Sequence, residues 1–188
     1  MYSVRKYRPE DKEALRAVCM ETSDAVFHKN DKLLHAVPVI YNDYFTECEP
    51  DNVFVCADEN DKAVGYVICA AETERFVREM KKHYIPLAVK MHPYMLFVSF
   101  AYMTAVLRHG KNYPAHMHID LLKDYQHKGA GTALIHALRY SLAQKGVAEL
   151  YINSMTYDTP AYEFYRKYGF EEAGKLGFGF FTMKIKTK

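Results

Sequence analysis

A chain of 188 residues, 49% hydrophobic and 26% charged, suits one ordinary globular domain with a core of its own. Its 25 basic and 23 acidic residues give a formal charge of only +2, which argues against a nucleic-acid binder or a polybasic membrane-surface protein. The four cysteines, Cys19, Cys48, Cys56 and Cys69, form no CxxC pair, so neither a zinc site nor a disulfide framework is expected, and reduced thiols in a cytoplasm are.

The start, "MYSVRKYRPEDKEAL", has no apolar run after its charges and so no secretory pattern. "YSVRKY" alternates and predicts a short strand, after which Pro9 opens an amphipathic helix with Leu15, Val18 and Cys19 on one side. A second helical stretch is expected over Lys32 to Glu47, broken or bent near Pro38. "NVFVCAD" and "KAVGYVICAAE" are β-rich runs joined by "ENDK", turn chemistry for an antiparallel hairpin.

From about Thr73 to Asn112 the pattern turns helical, with interruptions expected at Pro86 and Pro93. Its apolar run, "PYMLFVSFAYMTAVL", is shorter than the roughly 20 residues of a membrane span, so no membrane contact is expected. Aromatic and methionine stripes of this kind are usually core, which sets core or homodimer packing ahead of a lid over a substrate. The strand "AHMHIDLL" follows, then a helix from about Gly129 to Lys145 with Leu134, Leu138 and Leu142 at helical spacing, closed by Gly146. "AELYINS" is a further strand, "TPAYEFYRKYG" a helix with Pro160 in its first turn, and "FEEAG" and "FGFFTMKIK" the closing strands. No repeat or linker divides the chain, and residues 1–188 are expected to form one mixed α/β (α+β) domain.

The strand-to-helix junction, "QHKGAG", carries the chemistry. Glycine in a helix costs roughly 1 kcal/mol relative to alanine, so two of them in one first turn need a compensating reason. A helix start leaves backbone N–H groups unpaired at the positive end of the helix dipole, and glycine lets a bulky phosphate approach them. Gly129 and Gly131 fit that use, with His127 or Lys128 adding charge, and pyrophosphate is the natural guest. Neither the G-x-x-x-x-G-K-S/T loop nor the dinucleotide G-x-G-x-x-G occurs.

"QHKGAG" resembles the Q/R-x-x-G-x-G/A signature of the GCN5-related N-acetyltransferase (GNAT) superfamily, and "HIDLLKDYQ" resembles the apolar strand ending in V-x-P-x-x-Q/R that precedes it there. "DTPAYEFYRKYGF" resembles the N-x-x-A-x-x-F-Y-x-x-x-G-F segment, matching at Ala161, Phe164, Tyr165, Gly169 and Phe170. More narrowly, "YPAHMHIDLL" with "QHKGAG" looks like the acetyltransferase-like domains related to the C-terminal region of O-GlcNAc hydrolases. Two positions depart from the pattern: Asp158 stands where members usually carry Asn, and Lys123 where many carry Pro. Neither touches the anion-binding backbone.

The resemblance implies a mostly antiparallel sheet splayed at the cofactor, a helical insert before the fourth strand, and transfer of an acetyl group from acetyl-CoA to a primary amine. It implies a pyrophosphate cradle from Gln126, His127, Lys128, Gly129, Ala130, Gly131 and Thr132, with Asp158 counted among the cofactor-binding positions. Leu121 and Leu122 would pair the pantetheine amides as an added strand does, and a nearby N–H would polarise the thioester carbonyl. Tyr165 maps onto the tyrosine that protonates the leaving thiolate, and a phenol that merely packs is the alternative. For the base, His116, His118 and Asp120 alternate along one strand face, although the positions nine and eleven before Gln126 are Met117 and Ala115. A structural role for both histidines, or deprotonation through water, stays open. A non-catalytic acyl-CoA-binding module is the rival, a nucleotide-phosphate binder a more remote one. The acceptor is left open, since the segments that would recognise it, Asp11 to Glu47 and Thr73 to Asn112, follow no shared pattern.

Overall fold

A computed structural model describes residues 1–110, 112–177 and 180–188. The chain begins with β1 (Ser3–Lys6) and three helices, α1 (Lys12–Glu21), α2 (Asp31–Tyr41) and α3 (Asp43–Cys48). The hairpin β2 (Val53–Ala57) and β3 (Ala63–Ala70) follows, and then α4 (Thr73–Glu79), α5 (Ile85–Met91) and α6 (Met95–Gly110) intervene before β4 (Ala115–Leu121). The last part is α7 (Ala130–Gln144), β5 (Glu149–Met155), α8 (Pro160–Tyr168), β6 (Glu171–Gly177) and β7 (Phe180–Lys186). The expected closing strand from position 178 and the expected helix through position 111 each include residues outside those described.

The strands form one sheet in the order β1-β2-β3-β4-β5-β7-β6, antiparallel throughout except for the parallel neighbours β4 and β5. β2 and β3 are buried along their whole length, which is why they read as near-continuous apolar runs instead of alternating ones. Their turn is fixed locally: Asp58 Oδ1 accepts the N–H groups of Asn60 and Lys62 at 2.9 and 3.0 Å, and Asp61 takes a left-handed φ of 59°.

Each face of the sheet has its own core. Val53, Val55, Tyr66, Ile68 and Ala70 pack under α1 to α6, while Phe54, Cys56, Val67, Cys69 and Met117 pack under α7 and α8. The period-2 alternation of β2, β3 and β4 delivers side chains to both.

Two expected breaks are absent. Pro38 sits inside α2, whose burial of Ala36, Val37, Val39 and Ile40 outweighs the one donor lost, and the chain turns instead at Asn42, where φ is −135° and ψ −48°. Pro86 lies in the first turn of α5 directly after a π-helical turn, Met80–Tyr84, whose wider spacing absorbs the missing N–H. Pro93 does interrupt, following an extended His92 (φ −153°, ψ 125°). The four cysteines carry free thiols, and among the described residues no helix is long and apolar enough to cross a membrane.

Candidate active site

β4 and β5 are paired only at Ala115 with Leu150 and His116 with Tyr151, after which they part. The other edge of β4 stays paired with β3 from His116 to Leu121. The donation of Leu122 N–H to Val64 O at 3.0 Å fixes the alternation of that antiparallel ladder. Asp120, His118 and His116 point their backbone groups at β3, and Leu121 and Ile119 point theirs into the gap. Of the two residues expected to offer a strand edge, Leu121 therefore does and Leu122 does not; Ile119 takes its place. The strand's period of two contained that signal.

Below the gap, a turn through Lys123–Tyr125 leads to Gln126, whose Nε2 donates to Leu121 O at 2.8 Å. His127 and Gly129 both take left-handed backbone, with φ of 58° and 86°. α7 starts one residue later than expected, at Ala130, so Gly129 is the residue before the helix and its left-handed φ is what calls for glycine. Among the described residues no acceptor pairs with the N–H groups of Gly129, Ala130, Gly131 or Thr132; the first bond of the helix runs from Ala133 N to Gly129 O. A Cβ at Gly131 would stand 3.1 Å from Phe164 Cζ, so this glycine lets α7 close on α8. The expected cradle thus has N–H groups without an acceptor among the described residues, flanked by the exposed side chains of Gln126, His127 and Lys128. Asp158 lies elsewhere: exposed, with a left-handed φ of 59°, in the turn before α8, where Thr159 Oγ1 accepts the N–H of Tyr162 at 3.2 Å. Its short polar side chain suits that turn.

Tyr165, His118 and Asp120 line one cleft of about 930 Å3 that opens where β4 and β5 separate. Tyr165 reaches it from α8 and is buried, and burial together with the charge of Asp120 pushes its phenol up, so it holds its proton. Asp120 accepts the hydroxyl of Tyr66, and burial raises its carboxyl above the usual range in spite of that bond. His118 Nε2 lies 2.7 Å from Tyr102 Oη, and burial lowers its pKa to about 4. Tyr102 Oη also lies 3.2 Å from His116 Nε2. His116 is 1% exposed, does not line the cleft, and has its ring edge-on to Phe76 at 4.5 Å. On the β5 side, Asn153 Oδ1 accepts Thr182 Oγ1 at 2.7 Å and leaves Nδ2 buried without a partner. Tyr102, Tyr66 and Asn153 carried no sequence signal, since each acquires its place from another element.

The insert turns out to be both core and cleft wall. Its inner face buries Met95, Tyr102, Met103 and Val106, and its outer side brings Phe97 and Phe100 to the cleft. Among the described residues no group of three His, Cys, Asp or Glu side chains could hold a metal ion.

A sheet that opens between two parallel neighbours above a glycine-started helix sets backbone donors suited to an anion beside a cleft that holds a phenol and a carboxylate, the makings of an active site. The model of the acetyltransferase (GNAT) family matches residues 19–170, and the chain belongs to that family of acetyltransferases. A structure called SsHAT is 29% identical over all of this chain and 98% of its own length, with a TM-score of 0.85. Ard1 from Thermoplasma volcanium (14% identity, 98% of this chain and 97% of that one, TM-score 0.61) shares the fold. So does the PaiA N-acetyltransferase from Thermoplasma acidophilum in complex with coenzyme A (15% identity, 99% of each chain, TM-score 0.60). Curated protein sequences give no significant match.

Proposed function

We propose that the protein transfers the acetyl group of acetyl-CoA to a primary amine in a cytoplasm, and that within its family it stands beside the acetyltransferase-like domains related to the C-terminal region of O-GlcNAc hydrolases. The observation that carries the transfer reading is the meeting of Tyr165 and Asp120 in the gap between β4 and β5. The free thiols support the compartment, and "YPAHMHIDLL" with "QHKGAG" supports the grouping.

The N–H groups of Gly129 to Thr132 hold the pyrophosphate. The backbone of Ile119 and Leu121 pairs the pantetheine arm, and one of their N–H groups polarises the thioester carbonyl. Asp120 is the base. An alkylammonium has a pKa near 10, so handing its proton to His118 at about 4 would cost roughly 8 kcal/mol with no compensating attraction, whereas the Asp120 carboxylate attracts the cation and burial raises its carboxyl, which eases the transfer. His118, held by Tyr102, shapes the cleft in neutral form. The ammonium gives one proton to Asp120, which holds it through the transfer and releases it to solvent afterwards. As the C–N bond forms, the C–S bond breaks with its electron pair on sulfur. Tyr165 protonates that sulfur and takes back the surplus proton of the nitrogen. One proton is released overall. Timing favours Tyr165 as the acid, because the charge of Asp120 helps to hold the phenolic proton and is gone once Asp120 has accepted the amine's.

Calorimetry with acetyl-CoA, followed by thiol release against an amine panel, tests this. Micromolar binding is expected, severely weakened by Gly129→Glu, which places a side chain and a negative charge at the cradle on a left-handed backbone. Tyr165→Phe keeps the ring and is expected to lower kcat by about 10²- to 10⁴-fold with acetyl-CoA affinity within a few-fold. Equal acetyl-CoA binding by the Gly129 variant would reject the cradle. A kcat within threefold of wild type for Tyr165→Phe would reject the acid, and binding without turnover on any amine would select the non-catalytic module.

A further inference from the structure

The cleft has a wall that the transfer chemistry does not use. Tyr41, Tyr94, Phe97, Phe100 and Phe180 line it from α2, the turn before α6, α6 itself and β7. Phe97 is 64% and Phe100 71% exposed, a large outlay of apolar surface for two residues of one helix turn. Tyr94 and Phe97 lie 5.9 Å apart between centroids, and Tyr41 stands 5.1 Å from Tyr102 and 5.8 Å from His118. The aromatic wall thus runs inward to the group beside Asp120. Its charged groups are few: the carboxylates Asp24 and Asp120 and the guanidinium Arg108, which donates to Leu176 O at 3.3 Å.

Resting on the acetyl-transfer reading of the same cleft, we propose that the acceptor is a monoamine carried on an apolar, aromatic-sized body. Its ammonium meets Asp120, and its body lies against the aromatic wall with Phe97 and Phe100 at the mouth. Flat apolar bodies bury well on ring faces and edges, with centroids about 4.5–7 Å apart. A polyamine or an aminoglycoside carries several cations and would meet two carboxylates and one opposing guanidinium. An amino sugar would set part of its hydroxyls against the phenyl rings of Phe97, Phe100 and Phe180, which offer them no partner, so burying it there gains less than burying an apolar body. Phe97 and Phe100 line this cleft, and that continuity with Asp120 assigns the exposed rings to a small acceptor in preference to a second copy of the chain.

The test is steady-state thiol release from acetyl-CoA with 2-phenylethylamine, tyramine, spermidine, glucosamine, kanamycin and a lysine-containing peptide, on the wild-type chain and on Phe97→Ser and Phe100→Ser. Both rings are exposed, so the variants are expected to fold. The arylalkylamines are expected to show kcat/KM at least tenfold above the others, and each substitution to raise their KM about tenfold while acetyl-CoA affinity stays unchanged. A preference for spermidine, glucosamine, kanamycin or the peptide, or an unchanged KM in both variants, overturns the acceptor class and leaves the acetyl-transfer reading standing. If no amine turns over, calorimetry of 2-phenylethylamine on the CoA-saturated chain decides: binding that Phe100→Ser abolishes upholds the pocket, and no binding overturns it. A wild-type dimer by light scattering that Phe100→Ser dissociates also overturns it, since the rings would then belong to an interface between copies.

Discussion

Asp120, the proposed base, shows most directly how burial sets the charge of one residue against stability. Its carboxyl is raised because burial disfavours the charge more than the Tyr66 hydroxyl restores it. The sign of the linkage follows: an acid whose folded pKa lies above its unfolded value favours folding while protonated, and that advantage is lost as pH rises through the folded pKa. At pH 7 the ionised side chain therefore costs stability. Asp120→Asn keeps an oxygen for Tyr66 and removes the charge. The variant is expected to melt at or above the wild-type temperature at pH 7, with the difference closing as pH falls toward 4, while kcat drops by about 10²- to 10⁴-fold. Scanning calorimetry at several pH values beside the kinetic assay checks both halves, and a lower melting temperature at pH 7 would mean that the carboxylate is structural. The acidic limb of kcat/KM, set by this group in the free enzyme, is expected above the ordinary carboxylate value of about 3.9. The alternation of His116, His118 and Asp120 was legible in the sequence because strand geometry alone fixes it. What separates them was not: His116 is enclosed by the insert, and only Asp120 gains a tyrosine donor from the neighbouring strand.

At the scale of elements, the reactive strand is placed by a glycine on its neighbour. An ideal Cβ at Gly65 of β3 would stand 2.3 Å from Leu121 Cδ2 and 2.8 Å from the backbone oxygen of Asp120. A strand-interior glycine marks such a close backbone approach. Gly65→Ala is expected to push β4 at Asp120 and Leu121, costing about 1–3 kcal/mol by the ordinary penalty for overpacking. Urea unfolding should show the loss, and both kcat/KM and acetyl-CoA affinity should fall, because the displaced residues are the proposed base and the strand edge proposed to pair the pantetheine arm. Wild-type kinetics in a destabilised Gly65→Ala chain would show that β4 holds its place without this contact. The sequence announced the glycine within "AVGYV" but not its partner, which depends on strand register. The same limit explains the prolines. Strand runs, the "ENDK" turn and the start of α7 are local properties and were legible; whether Pro38 or Pro86 breaks a helix depended on burial and on a π-helical turn, which local pattern does not encode.

For the molecule as a whole, pH tolerance follows from how the insert covers the sheet. α6 lays Tyr102 over His116 and His118 and places its own His109 against β6, where a Cβ on Gly174 would stand 2.8 Å from the His109 ring. Burial lowers the pKa of all three histidines, that of His118 to about 4. A base whose folded pKa lies below its unfolded value of about 6.5 contributes stability above 6.5 and loses it as pH falls toward the folded pKa. Asp120 and Asp43, both carboxyls raised by burial, act with the opposite sign, and two carboxyls oppose three imidazoles. Net stability is therefore expected to fall between about pH 6.5 and 4, before the carboxylates held low by arginine and lysine partners, Asp11 and Glu47, add their own loss at lower pH. His116 is the best probe, since its ring lies among Phe45, Phe76 and Tyr151 at centroid distances of 4.5 to 5.8 Å and a phenyl ring fits the same surroundings. His116→Phe removes one titrating group together with the contact to Tyr102, and the residue itself does not line the cleft. The slope of unfolding free energy against pH over this window, from urea titrations, is expected to be shallower in the variant whatever its absolute stability at pH 7. An unchanged slope would show that His116 protonates freely in the folded chain, and that the insert does not seal this face of the sheet.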